Sequence, residues 1–532
     1  MNKLKHEPTS LIEGLQKPYL FDHPVEKFEV IETHISLLLL TGQYVYKIKK
    51  SVNFGFLDFS TLDKRRFYCE EELRLNRRLA LHLYLDVVSI HGSEENPEIN
   101  GQGPVIEYAV KMRQFPQSAQ LDRILAKNGL DNSIMDKLAS TVAQFHLSID
   151  PVEKESEFGD LEHVRQPVLE NFEHIRASIP DSFKVQTIAP LLEKLEHWSK
   201  QQLEELADII NQRKAQGFVR ECHGDMHLRN IALWDDDIII FDCIEFNKNF
   251  YWIDVISEIA FLIMDLEDRQ QDALAQRFLN SYLEITGDYE GLRLLRFYKV
   301  YRALVRAKVD ALRAGQEQVG TPEYSATFKD FLQYLKLAER YVQPTAPCLL
   351  INHGLSGSGK SFGTRMILER YPAIQIRSDV ERKRIFHIEK DSDREVTVEK
   401  GIYTAEATHI TYAHLLDVAQ SLLTAGYSVV IDAANLKLQQ RSQFIELAKS
   451  LHTPYFILDF HASVETLMER VKQRAQKGSD VSDATLEVLE HQIETYEPLS
   501  HDEKPFTIEI DTDREVDVDA IVDRIHVSYI KF

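Results

Sequence analysis

Eight consecutive residues restrict this chain more than any other stretch: Gly354, Leu355, Ser356, Gly357, Ser358, Gly359, Lys360 and Ser361. Glycines at the first, fourth and sixth places let backbone N–H groups curl around an anion held at a helix N-terminus. An apolar run, Cys348 to Asn352, precedes the loop and a helical pattern follows, so the local fold must be strand, loop, helix. All eight residues are candidate nucleotide contacts. Lys360 is expected to bring positive charge to the β- and γ-phosphates, and the Ser361 hydroxyl to ligate Mg²⁺.

Around this loop the sequence alternates between short apolar runs and helical patterns. Strands are expected at 348–353, 374–378, 428–431, 455–460 and 506–510, which predicts an α/β domain with a parallel sheet and helices on both faces. The second run ends in Arg377, Ser378 and Asp379, placing a carboxylate where an acceptor hydroxyl would meet the γ-phosphate. Asp379 is therefore the candidate base, with Arg377 and Arg382 beside it to hold an anionic acceptor. The third run ends in Asp432, a candidate for the Mg²⁺ shell, and Asn435 and Arg441 follow as candidate substrate contacts. Arg470 and Arg474, one turn apart on a helix leading to a lid, are placed to close on the phosphates.

Pro344 and Pro347 interrupt a helical pattern that runs to Val342, and a boundary is expected there: 1–343 and 344–532. The first part opens strand-rich, with β-prone runs at 35–40 and 43–49 around a Thr41-Gly42 turn and a charged helix over 62–81. From about 122 to 216 the pattern is mostly helical. A small β-rich lobe followed by a larger helical one is an α+β bilobal arrangement.

Between 218 and 242 lies a second polar cluster: His223-Gly224-Asp225, His227 and Asn230, followed by an apolar strand that ends at Asp242. A base and a metal ligand five residues apart, then a second carboxylate beyond a short hairpin, is what phosphoryl transfer requires. Asp225 would deprotonate the acceptor, and Asn230 and Asp242 would hold Mg²⁺ on the ATP phosphates. Helices from 245 to 306 should form the acceptor pocket. Asp254, Glu258 and Asp265 there fit either a cationic substrate or the polar face of a packed helix.

Charge narrows the partners. The 62 basic and 84 acidic residues give −22, and both parts are acidic: 41 against 54 before Pro344, 21 against 30 from it onward. A long nucleic-acid track needs a basic footprint that neither part has, though a local pocket for an end remains compatible. Four scattered cysteines, no apolar leader at the N-terminus and charges within 251–266 predict a cytoplasmic protein without a membrane span.

Two family resemblances rest on these residues. The loop, RSDVERKR from Arg377, VVIDAANLKLQQR from Val429 and ERVKQR from Glu469 resemble the small P-loop kinases, the group of gluconate kinase, zeta-type toxins and polynucleotide kinase, over about 346–530. His223, Gly224, Asp225, His227 and Asn230, with Asp242, match the HGDxHxxN pattern of the aminoglycoside phosphotransferase family over about 25–320. That resemblance implies a protein-kinase-like fold and a phosphate-pairing lysine on the Tyr44–Lys49 strand. Lys47 and Lys49 share a face there; Lys47 is favoured, with a carboxylate partner among Glu70, Glu71 and Glu72, of which Glu72 is favoured. Residues 112–117 would join the lobes beside the adenine. No glycine-rich motif precedes Lys47, so backbone near 34–36 must cover the phosphates.

Together these imply a bifunctional ATP- and Mg²⁺-dependent kinase acting on hydroxyl acceptors: a small molecule at the first site, a small molecule or a nucleic-acid 5′ end at the second. Two other readings fit the same residues: one kinase regulated by a second ATP-binding part, or a nucleotide-dependent toxin-like or RNA-modifying module.

Overall fold

The computed structural model describes residues 9–55, 57–179, 188–387, 404–477 and 485–529. Its chain divides into two compact units, Met1–Asp268 with Phe297–Glu339, and Arg269–Arg296 with Arg340–Phe532. The second unit is thus discontinuous. It takes in the helix Asp272–Thr286, which lies well upstream of the 343/344 boundary expected from the prolines.

In the first unit, β1 (Glu29–Glu32), β2 (Ser36–Leu40), β3 (Tyr44–Lys49), β4 (Tyr84–Gly92), β5 (Pro97–Ile99) and β6 (Val105–Arg113) form an antiparallel sheet in the order β1-β2-β3-β6-β4-β5. Leu40 faces Val45 across the β2–β3 hairpin, whose turn places Gly42 at φ 92°, in the left-handed region that glycine tolerates. The helix Leu62–Asn76 starts at Thr61, whose hydroxyl accepts from the Lys64 N–H, and it packs on this sheet through Cys69 and Leu73. The sheet's other face buries Leu39, Tyr46 and Ile48 beneath Leu11, Ile12 and Leu15.

Beyond the sheet the unit is largely helical, with two small hairpin-like pairs that carry the polar cluster. One is β7 (Val219–Glu221) with β10 (Trp252–Asp254); the other is β8 (Ile231–Trp234) with β9 (Asp237–Ile240). Asp235 and Asp236 turn β8 into β9 with φ of 51° and 63°, the two-residue geometry whose twist matches a hairpin. The helix Val255–Asp268, buried almost throughout, follows β10.

In the second unit β11 (Leu349–His353), β12 (Ile374–Arg377), β13 (Val429–Asp432), β14 (Tyr455–His461) and β15 (Thr507–Asp511) form a parallel sheet in the order β12-β13-β11-β14-β15. β11, carrying the glycine-rich loop, is central, and its five residues are all buried. The order puts β12 at the edge, so the residues that follow it stand at one side of the phosphate loop. Among the described residues no helix is long and apolar enough to cross a membrane.

Candidate active sites

The first site begins with a buried ion cluster. Lys47 Nζ lies 2.7 Å from Glu72 Oε1 and 2.6 Å from Asp242 Oδ1, while Lys49 Nζ lies 2.7 Å from Glu72 Oε2 and also meets Glu245. Strand alternation brings both lysines to one face, and the tertiary fold separates their surroundings. Lys49 is 1% exposed and stacks 4.8 Å from the Phe59 ring; Lys47 is 11% exposed and reaches Asp242, which is 50% exposed. Only Lys47 therefore faces the open side. Burial pushes the Glu72 carboxyl up, but the two ammoniums outweigh it and bring it down to about 2.

The polar cluster is assembled by its own backbone. Gly224 sits at φ 87°, and a side chain there would meet the Phe250 carbonyl at 2.6 Å, so only glycine fits. His223 Nε2 donates to the Phe241 carbonyl at 2.8 Å, and its Nδ1 accepts the Asp225 N–H at 3.2 Å. Both ring nitrogens are thus used by neutral imidazole, in keeping with burial lowering its pKa. Asn230 Nδ2 donates to the Asp225 carbonyl at 3.0 Å and to Asp225 Oδ2 at 2.9 Å, and His227 Nε2 lies 3.4 Å from the same carboxylate. Burial raises the Asp225 pKa, and His227 and Arg306 more than reverse it, so Asp225 stays ionised. Phe241 N–H donates to the Asn230 carbonyl at 2.9 Å, which sets Asn230 and Asp242 at the same end of the β8–β9 hairpin. Asp242 has φ 65°, a left-handed turn that an aspartate accepts more readily than most residues.

Three acidic residues weighed as a cationic-substrate site prove to be braces. Asp254 pairs with buried Arg213 at 2.7 and 2.9 Å. Glu258 accepts the His223 and Gly224 N–H groups at 2.6 and 3.0 Å, and Asp265 accepts the Leu228 N–H at 2.9 Å. All three are at most 5% exposed, and Glu258 and Asp265 hold the loop itself rather than a ligand. Arg302 joins them, donating to the Gly224 carbonyl at 3.0 Å.

In the second site Gly354 has φ 143° and lies so close to β14 that an added Cβ would meet the Phe460 carbonyl at 2.3 Å. Lys360 Nζ folds back onto the carbonyls of Gly354 and Leu355, each at 2.8 Å. Burial, with Arg474 nearby, lowers its pKa to about 8. Asp432 Oδ1 accepts from Asn352 at 3.0 Å and Oδ2 from Gln375 at 2.8 Å, so the carboxylate is fixed beside the loop strand. Burial raises the Asp379 pKa and Asp432 adds to it, while Arg377, 3.2 Å away, opposes both. Gln492, which the sequence did not single out, accepts the Ser356 N–H at 2.8 Å.

Residues 62–295 match the family model described as the phosphotransferase enzyme family, and residues 349–499 match one described as an AAA domain. This chain is a phosphotransferase with two kinase-type domains. Uncharacterized proteins of Mycobacterium tuberculosis and Mycobacterium bovis are 29% identical to it over 463 residues, covering 86% of this chain and 89% of theirs. Among solved structures, a gluconokinase from Sinorhizobium meliloti (22% identical, 34% of this chain and 89% of that one) has a TM-score of 0.24. A choline kinase from Cryptosporidium parvum (10% identical, 59% and 90%) has one of 0.38.

Within the P-loop domain of this phosphotransferase, two expected substrate contacts are corrected. Arg441 is wholly buried and spends its guanidinium on Glu503, at 2.6 and 3.1 Å, and on the Asn435 carbonyl at 3.0 Å. Asn435, also wholly buried, donates its amide to the Asn352 carbonyl at 2.6 Å. Both stabilise the turn after β13 instead of facing an acceptor. Arg377 and Arg382 are buried as well, the first between Asp379 and Glu284, the second donating to Thr408 at 3.2 Å. Arg470 reaches the loop from behind, bonding the Gly357 carbonyl at 3.3 Å and Thr512 at 2.7 and 2.9 Å. The lid expected beyond its helix, Val464–Lys477, runs into 478–484, outside the described residues.

Proposed function

We propose that each unit transfers the γ-phosphate of ATP to its own hydroxyl acceptor, a small molecule at the first site and a small molecule or a nucleic-acid 5′-hydroxyl at the second. One observation supports this most: each unit holds its own cation, base candidate and metal-binding carboxylate, with Lys47, Asp225 and Asp242 in one and Lys360, Asp379 and Asp432 in the other.

At the first site, Asp225 takes the proton of the acceptor hydroxyl as its oxygen attacks the γ-phosphorus. The bond from that phosphorus to the β,γ-bridging oxygen breaks, and its electron pair leaves with ADP. Asn230 orients Asp225, and Lys47, held by Glu72, pairs the phosphates. At the second site Asp379 takes the same part, while Lys360 swings from the loop carbonyls to the β- and γ-phosphates. Arg474, whose charge already acts on Lys360, closes on them from the helix Val464–Lys477.

The donor sets fit a hard cation, since all are oxygens. Asn230 gives both of its amide N–H groups to Asp225, which leaves its oxygen for a metal, and Asp242 is half exposed beside it. Ser361 and Asp432 would hold Mg²⁺ in the second unit. When bound, Mg²⁺ neutralises charge on the phosphates.

The test offers γ-labelled ATP with a metabolite extract, then with 5′-hydroxyl oligonucleotides, to the full chain and to Asp225→Asn and Lys360→Ala. Each variant is expected to lose a different labelled product. If one variant loses all products and the other none, only one unit is a kinase and the bifunctional reading is wrong.

A further inference from the structure

The helix Asp272–Thr286 belongs by sequence to the stretch matched by the phosphotransferase family, yet it is part of the second compact unit. It lies along β12, the edge strand of the parallel sheet. Gln276 and Asn280 donate to the Ala373 carbonyl at 2.6 and 3.1 Å, and the Gln375 N–H donates to Asn280 Oδ1 at 2.8 Å. An edge strand otherwise offers open backbone groups, so these side chains take the place of a neighbouring strand. One turn beyond Asn280, Glu284 Oε1 accepts from Arg377 Nη1 at 3.1 Å, and the Glu284 carbonyl accepts from Arg384 at 2.7 Å. Arg377 turns its other terminal nitrogen, Nη2, to Asp379 Oδ2 at 3.2 Å.

A guanidinium beside a single carboxylate tends to grip both of its oxygens at once. Here the guanidinium is shared, with Nη1 on Glu284 and Nη2 on one oxygen of Asp379. Its other oxygen, Oδ1, accepts the Val380 N–H at 3.1 Å. We propose that Glu284 is a positioning residue of the second transfer site: by dividing Arg377 between two carboxylates it keeps an oxygen of Asp379 open to the acceptor. The inference rests on the reading of Asp379 as the base. It means that the second site is built from two separated stretches of chain, and that 344–532 alone lacks one of its parts.

Water serves as the acceptor in the test, so no natural substrate is needed. A water proton passes to Asp379, the water oxygen bonds to the γ-phosphorus, and ADP leaves with the electrons of the broken bond. Full-length protein carrying Asp225→Asn, which silences the first site, is the parent. Its hydrolysis of ATP is measured against ATP concentration, with Lys360→Ala added to define the part that belongs to the second site. Glu284→Ala should lower kcat of that part about 10-fold while KM for ATP stays within about 2-fold, because Lys360 and the loop are untouched. Glu284→Gln, whose side-chain oxygen still accepts from Nη1, should restore most of kcat. Asn280→Ala, which loosens the same helix, should lower the melting temperature without that kcat loss.

An unchanged kcat in Glu284→Ala overturns the proposal. So does a fall in kcat that Asn280→Ala reproduces and Glu284→Gln does not rescue, since the helix then matters only for packing. If the parent has no Lys360-dependent hydrolysis, the phosphotransferase reading of the second unit fails, and this inference with it.

Discussion

The two candidate sites hold their lysine cations in opposite ways. In the first unit Lys47 is already clamped between Glu72 and Asp242, residues 25 and 195 positions away in sequence. In the second, Lys360 rests on the carbonyls of Gly354 and Leu355, six and five positions away in its own loop. A cation paired with charges keeps its proton at any working pH, and the Lys47 pKa is raised well above the usual lysine range despite burial. A cation paired with neutral carbonyls does not, and Lys360 falls to about 8. Long-range ion pairing makes the setting of the first cation a property of the fold, whereas that of the second is largely a property of its own loop.

The largest expected effect tests whether the sites are separate at all. Asp225→Asn should cut first-site transfer by about 10³-fold, as expected for loss of a general base, and leave second-site transfer unchanged. Product-resolved initial rates measure both, and a parallel loss at the second site would break the comparison.

Next comes the pair of lysines. Lys49→Met leaves the buried Glu245 without its ammonium and should cost about 3 kcal/mol of stability, read as a lower denaturant midpoint. Lys47→Met should cost less stability but about 10²-fold in first-site kcat/KM. If the two effects are exchanged, Lys49 is the phosphate partner.

Arg441→Met removes one half of the buried pair with Glu503 and should destabilise the second unit by about 3 kcal/mol, with KM for its acceptor little changed in the folded fraction. A KM effect at constant melting temperature would return Arg441 to the substrate site.

The smallest effect is the pH response. Lys360 must be protonated to bind a triphosphate, so binding takes up a proton where the free group has lost it. ATP affinity at the second site should fall several-fold as pH rises from about 7 to about 9, through the lysine value near 8. The first site, with Lys47 protonated throughout, should show no such fall. Calorimetry on Lys360→Ala and Lys47→Met proteins in buffers of different ionisation enthalpy separates the two.

Much of this was legible in advance because the relevant chemistry is local. The order of the loop and strand around Gly354, the His223–Asn230 cluster and the hairpin to Asp242 all follow from neighbours within about a dozen residues, and the structure brings them together as expected. Glu258 and Asp265 were ambiguous because a polar stripe on a helix reads the same whether it faces water, a ligand or an adjacent loop's N–H groups. Arg441 looked like a substrate arginine for the same reason: its partner Glu503 is 62 residues away.

The sequence by itself determined the two kinase-type motif clusters, since backbone curvature at glycines, strand alternation and short motif spacings act over a few residues. Only the tertiary structure decided which lysine faces the open site, which charged residues are braces, and that the helix Asp272–Thr286 belongs with the second unit. Those outcomes depend on which distant side chain reaches a buried charge first. Desolvation makes an unpaired charge so costly that the choice of partner is settled by three-dimensional packing, which no local pattern encodes.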